Sequence, residues 1–134
     1  MIDHHAALIY TMVLVSAADG NMSDSEIAQI GDIVRMMPAF RDYDLSGLTE
    51  QAADCAEALA DEDGLETTLD QIVSGLPARL AETAYAVACD VAAADGEVTQ
   101  EEARLLEILR YRLDVDRLAA AAIERGAKAR HQTI

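Results

Sequence analysis

The 134-residue sequence predicts an all-α fold, a single-domain bundle of about seven helices, and three observations carry that expectation. Apolar residues recur at helical spacing along most of the chain. With Phe40 the sole phenylalanine and no tryptophan, the core must be filled by Ala, Leu, Ile, Val and Met, a composition that suits closely packed helices better than a sheet. The third observation is an internal repeat. VSAADGNMSDSEIAQIGDIV from Val15 returns 76 residues later as VAAADGEVTQEEARLLEILRYRL from Val91, so hairpins over about 3–37 and 78–113 should be equivalent.

Taken in order, the first helix should run from about Asp3 to Ala18 and be the most buried, because Leu8, Ile9, Met12, Val13 and Val15 leave it no polar face. The second, from Asp24 to about Met37, carries Ile27, Ile30, Val34 and Met37 at helical spacing and stops before Pro38. Residues 38–47 read as a turn-rich connection that Phe40 and Tyr43 pin to the core. Leu48, Ala52, Cys55 and Leu59 mark a third helix, closed by Asp61, Glu62, Asp63 and Gly64; Leu65, Leu69, Ile72, Val73 and Leu76 mark a fourth. Pro77 suits the first turn of a fifth, with Leu80, Ala84, Val87, Val91 and Ala94 in one stripe. A sixth follows from Gln100 to about Arg112 with Ala103, Leu106, Leu109 and Leu113 inward. Asp114 or Asp116 then caps a last helix through Leu118, Ala122 and Ile123 to Gly126, leaving a frayed tail over about 127–134.

Each repeat joins its helices by an acidic elbow. Gly20 and Gly96 suit the left-handed turn that ends a helix, and Ser23 with Glu26, like Thr99 with Glu102, fits the capping box that starts the next. The same residues match the second half of an EF-hand loop, with Asp19, Gly20, Met22 and Glu26 in one copy and Asp95, Gly96, Val98 and Glu102 in the other. Val15 and Ala17, or Val91 and Ala93, stand where a calcium loop needs its first carboxylates, so a standard EF-hand is excluded. Turn and cap chemistry alone accounts for Glu26 and Glu102. Asp19 and Asp95 are harder to explain, since an acid at a helix C-terminus opposes the macrodipole. A hard divalent cation, calcium above all, would explain them. Asp95 and Glu102, helped by Asp90 or Glu97, form the better candidate site; Asp19 and Glu26 form a weaker one, because Leu14 stands where Asp90 does in the second copy.

The doubled ADG-x-x-[S/T]-x-x-E pattern, over about Ala6 to Leu113, resembles the TerB family, named for tellurite resistance. The resemblance implies an all-helical cytoplasmic bacterial protein of the stress response, without known catalysis, in which acidic residues near the elbows are associated with cation binding.

Charge narrows the partners. Residues 1–103 hold 21 acids against 3 bases, whereas 104–134 hold 4 acids against 7 bases, so the body repels polyanions and nucleic acid is disfavoured as a partner. The basic C-terminal part is free to fold back on the acidic body or to meet a partner. Ten acids and no base lie between Asp42 and Asp70, which reads as a solvated helical face or as a surface for a cation or a basic protein partner, the last being the alternative in which the chain is an acidic adaptor with no metal role. Cys55 and Cys89 fall on apolar positions without CxxC spacing and read as reduced core thiols. His4, His5 and His131 are too scattered for a zinc site and read as terminal and solvated. The apolar run from Ala6 to Ala18 is too short for a membrane span and lacks a basic start, which points to the cytoplasm. Neither a Ser-His-Asp pattern nor a phosphate-binding glycine loop is present, so no enzyme is expected.

Overall fold

A computed structural model describes residues 2–17, 22–94 and 96–134. They form seven α-helices and, among the described residues, no strand. The first, α1 (His4–Ser16), starts where the Asp3 carboxylate accepts the Ala6 amide at 2.9 Å, and it is buried from Ala6 to Ile9 and from Thr11 to Ser16. Because α1 is apolar on every side, it can sit only in the middle. It packs against α3 (Leu48–Leu59), α4 (Gly64–Gly75) and α5 (Ala81–Ala93). Thr11, buried among these, returns its hydroxyl to the Ala7 carbonyl at 2.8 Å.

The amphipathic α2 (Asp24–Met36) lays Ile30, Gly31 and Val34 on this centre and ends ahead of Pro38. The connection from Pro38 to Gly47 contains two single 3-10 turns; Phe40 is buried in the core, and the Tyr43 hydroxyl donates to Gln51 at 2.6 Å. Gly64 belongs to α4, opening it one residue earlier than the Leu65 start expected. A Cβ at Gly64 would lie 2.2 Å from the Ala58 carbonyl oxygen, so the turn from α3 into α4 is closed backbone on backbone. Leu65 and Val73, expected inward, are more than a third exposed, leaving Leu69 and Ile72 to anchor α4. Pro77 precedes a 3-10 turn, and the α-helix begins only at Ala81.

The C-terminal third departs most from expectation. Ala103 of α6 (Gln100–Arg112) is exposed, whereas Leu109 and Leu113 are buried. The tail expected to fray from residue 127 is helical through α7 (Arg117–Arg130), capped by Asp116, whose carboxylate accepts the Ala119 amide at 2.8 Å. Two tertiary contacts hold this last turn: Ala127 is buried, and Arg130 Nη2 meets Asp90 Oδ1 at 2.6 Å. Leu118 (82% exposed) and Ala122 face outward; Ala120 and Ala127, with Ile123, make the buried stripe.

The histidines also differ from the solvated reading. His5 Nε2 lies 3.1 Å from the Ala39 carbonyl with its ring stacked on Phe40 at 5.6 Å, and His131 Nε2 lies 3.4 Å from Asp90 Oδ1. The basic C-terminal part does fold back on the acidic body: beside the Arg130 pair, Arg112 of α6 pairs with Glu66 at 3.0 Å and with Asp70.

Candidate functional site

Four helix ends meet in one groove. Ser16 comes from the end of α1, Ser25, Glu26 and Gln29 from the start of α2, Val91 and Ala94 from the end of α5, and Glu102 from the start of α6. The arrangement follows from how the hairpins cross. Helices α1 and α5 pack closely against each other, α2 reaches across to α5, and α6 reaches across to α1. Each hairpin thus leans on the other's first helix, and the starts of α2 and α6 border the same groove.

Both capping boxes are complete. Ser23 Oγ accepts the Glu26 amide at 3.2 Å while Glu26 Oε1 accepts the Ser23 amide at 2.9 Å; Thr99 Oγ1 and the Glu102 amide are 3.1 Å apart, with Glu102 Oε1 taking the Thr99 amide at 2.9 Å. A carboxylate in the first turn is favoured by the helix dipole, so each glutamate is stable here as a helix starter. Capping engages Oε1 in both, and Oε2 is the oxygen a cation would take. Ser16 Oγ is buried and, among the described residues, has no hydrogen-bond partner, a cost that a ligand or water in the groove would relieve.

The other sequence-predicted site residues are placed differently. Asp90 turns to α7: its Oδ1 accepts Arg130 Nε at 3.2 Å as well as Nη2, so this carboxylate is committed to holding the last helix. Glu97 is exposed in the loop before α6. Asp19 and Asp95 lie outside the described residues. Among the described residues no group of three or more His, Cys, Asp or Glu side chains is gathered closely enough to hold a metal.

The thiols are buried and free. Loss of hydration pushes Cys55 up to about 12, and the same effect brings Cys89 to about 12, so neither is a ready thiolate at neutral pH. Tyr85 is raised far above the ordinary tyrosine range, first by burial and then by the hydrogen bond its hydroxyl donates to Glu124 at 2.6 Å.

Sequence reasoning did not find Ser16, nor that Glu26 and Glu102 line one groove. A serine ending an otherwise apolar helix was the available signal, but the convergence depends on the crossing of the hairpins. The model of the family described as tellurite resistance protein TerB matches residues 5–132, almost the whole chain and both elbows. The chain belongs to the TerB family. Comparison with curated proteins and with solved structures returns no match. TerB is not a known enzyme family, and among the described residues no helix is long and apolar enough to cross a membrane.

Proposed function

We propose that this TerB-family chain is a non-enzymatic stress-response module that binds a hard divalent cation, calcium first among candidates, in the groove shared by its two elbows. The observation that carries the reading is that Glu26 and Glu102 line one groove with the buried Ser16 hydroxyl, which has no partner among the described residues. Two carboxylates and one hydroxyl are few for calcium, which collects about 6 to 8 oxygens. The reading therefore assigns the remaining ligands to Asp19 and Asp95, which belong to the same two elbows in sequence, together with water. Such a site is weak, on the order of 10⁻⁴ to 10⁻³ M. One shared site replaces the unequal pair that the sequence suggested. The buried, unpaired thiols fit a reducing compartment such as the cytoplasm.

Thermal unfolding with and without millimolar calcium tests this. Wild type should gain stability as RT ln(1 + [L]/Kd). Glu102→Gln keeps an amide oxygen for the capping box, so its calcium-free melting temperature should stay near wild type while most of the calcium gain disappears. Melting curves that calcium, manganese and zinc all leave unmoved would reduce the elbows to turns.

A second reading has its own observation. All ten acids between Asp42 and Asp70 are exposed, and Arg112 alone pairs with two of them among the described residues, so a single-sign surface is open to a basic protein partner. Retention of a partner from lysate at low salt and its release at high salt would support this adaptor role; retention indifferent to salt would exclude the electrostatic version.

A further inference from the structure

A second cavity, of about 540 Å³, opens between α5, α6 and α7. Helices α6 and α7 both pack on α5 but barely touch each other, so a wedge stays open along their seam. Tyr85, Cys89 and Ala93, spaced one turn apart on α5, form its floor. Ala103, Leu106 and Arg110 of α6 make one wall, and Glu124, Ala127 and Lys128 of α7 make the other.

The repeat shows how this seam differs from its counterpart in the first hairpin. Residues 76 positions earlier than Ala103, Leu106 and Arg110 are Ile27, Ile30 and Val34, and in the first hairpin Ile30 and Val34 are fully packed in the core. The second hairpin replaces bulk by a methyl group at Ala103 and an apolar side chain by a guanidinium at Arg110. The result is an apolar hollow with a charged rim, of a size common for small-ligand pockets, about 300 to 1,000 Å³.

The rim differs in charge from the rest of the molecule. Arg110, Lys128 and His131 line it against Glu107 and Glu124, in a chain of net charge −15. Glu124 is engaged by the Tyr85 hydroxyl and His131 lies against Asp90, whereas Lys128 has no hydrogen bond or ion pair among the described residues. Arg110 lies over the Tyr111 ring at 4.3 Å and has one long bond, Nη1 to the Val115 carbonyl at 3.5 Å, which leaves most of its donors available.

We propose that the cleft between α5, α6 and α7 binds a small amphipathic carboxylate of fatty-acid type, its chain against Cys89, Ala93, Ala103 and Ala127 and its head between Arg110 and Lys128. The cleft shares no lining residue with the elbow groove, although Gly96 and Val98 of the second elbow border it, and the proposal does not rest on a cation in that groove.

Titration of the full chain with decanoate, followed by amide chemical shifts, tests the proposal, with decanol and decylammonium as the uncharged and oppositely charged arms. Saturable shifts are expected at Ala93, Val98, Ala103 and Ala127 with decanoate below its micelle range. Decanol should bind roughly threefold more weakly, the worth of a solvent-exposed charge contact, and decylammonium more weakly still. Ala103→Ile, which restores the bulk of Ile27 from an exposed position, should weaken decanoate by about tenfold, the effect of a filled apolar pocket. Lys128→Gln, at an exposed and unpaired residue, should cost decanoate about threefold and leave decanol unchanged. The proposal is overturned by an absence of saturable shifts, by decylammonium binding as well as decanoate, or by Ala103→Ile leaving decanoate affinity intact. Shifts at these amides that follow protein concentration without ligand would also overturn it, by assigning the cleft to a second copy of the chain.

Discussion

The two hairpins are one local design put to two tertiary uses. Helices α1, α2, α5 and α6 are each 13 residues long, and both second helices start from a complete capping box. Yet α1 is enclosed by α3, α4 and α5, while α5 gives one side to the open seam with α6 and α7. Position 14 carries a buried leucine; its counterpart, Asp90, carries the charge that ties down α7. Local signals therefore set where helices begin and end, and the neighbour each face meets sets which residues the face can tolerate.

The largest test of that contrast exchanges the two residues. Leu14→Asp places an unpaired carboxylate at a site that is 2% exposed and should unfold the chain, since an uncompensated buried charge costs several kcal/mol. Asp90→Leu should cost less than about 1 kcal/mol, because it removes a partly solvated pair, and should loosen only the end of α7. Urea titration for the first and amide hydrogen exchange across α7 for the second would measure both. Equal losses would erase the contrast.

The seams come next. Ile30→Ala should destabilise by about 2 to 5 kcal/mol, as for a fully buried aliphatic side chain. Leu106→Ala, at the matching position but facing the cleft and half-buried, should cost less than half as much in the same denaturant assay.

Alkaline pH separates the hairpins again, because Val13 matches Cys89. In the unfolded chain the thiols of Cys55 and Cys89 titrate near 9, and in the fold burial holds them at about 12. The native state keeps protons that the unfolded chain has released, so this stabilisation is complete below pH 9 and is lost between pH 9 and 12. The melting temperature should fall across that window, and Cys89→Val, copying the first hairpin, should flatten part of the decline. An unchanged slope would show that the thiol is not the titrating group.

The smallest effects should be equal in the two copies. Ser23→Ala and Thr99→Ala each remove one cap and should each cost about 1 kcal/mol in thermal unfolding. A difference much larger than that between them would mean that tertiary contacts, beyond the shared motif, support one elbow.

These contrasts also explain how much could be read from the sequence. Seven helices, the stop at Pro38 and both capping boxes were legible, because each rests on residues within a few positions of one another. The continuation of α7 past Gly126 was not, since it depends on Ala127 burying against distant helices and on Arg130 reaching Asp90, 40 residues away. Ala103 and Leu118 were misassigned inward for a related reason: helical periodicity gives a stripe, and the faces packed on the core are set by tertiary contacts. Of the candidate site, Glu26 and Glu102 were identified singly. That they line one groove with Ser16 follows from the crossing of α1 over α5, which no local pattern encodes.

Calcium calorimetry on wild type, Glu26→Gln and Glu102→Gln tests whether the two glutamates act together as one cation site. A shared groove predicts one ion per chain, with either substitution weakening it by roughly tenfold or more, as loss of a charged ligand should. Two independent ions, with Glu26→Gln leaving the Glu102 site at full affinity, or no binding heat in wild type with calcium or manganese, would contradict it.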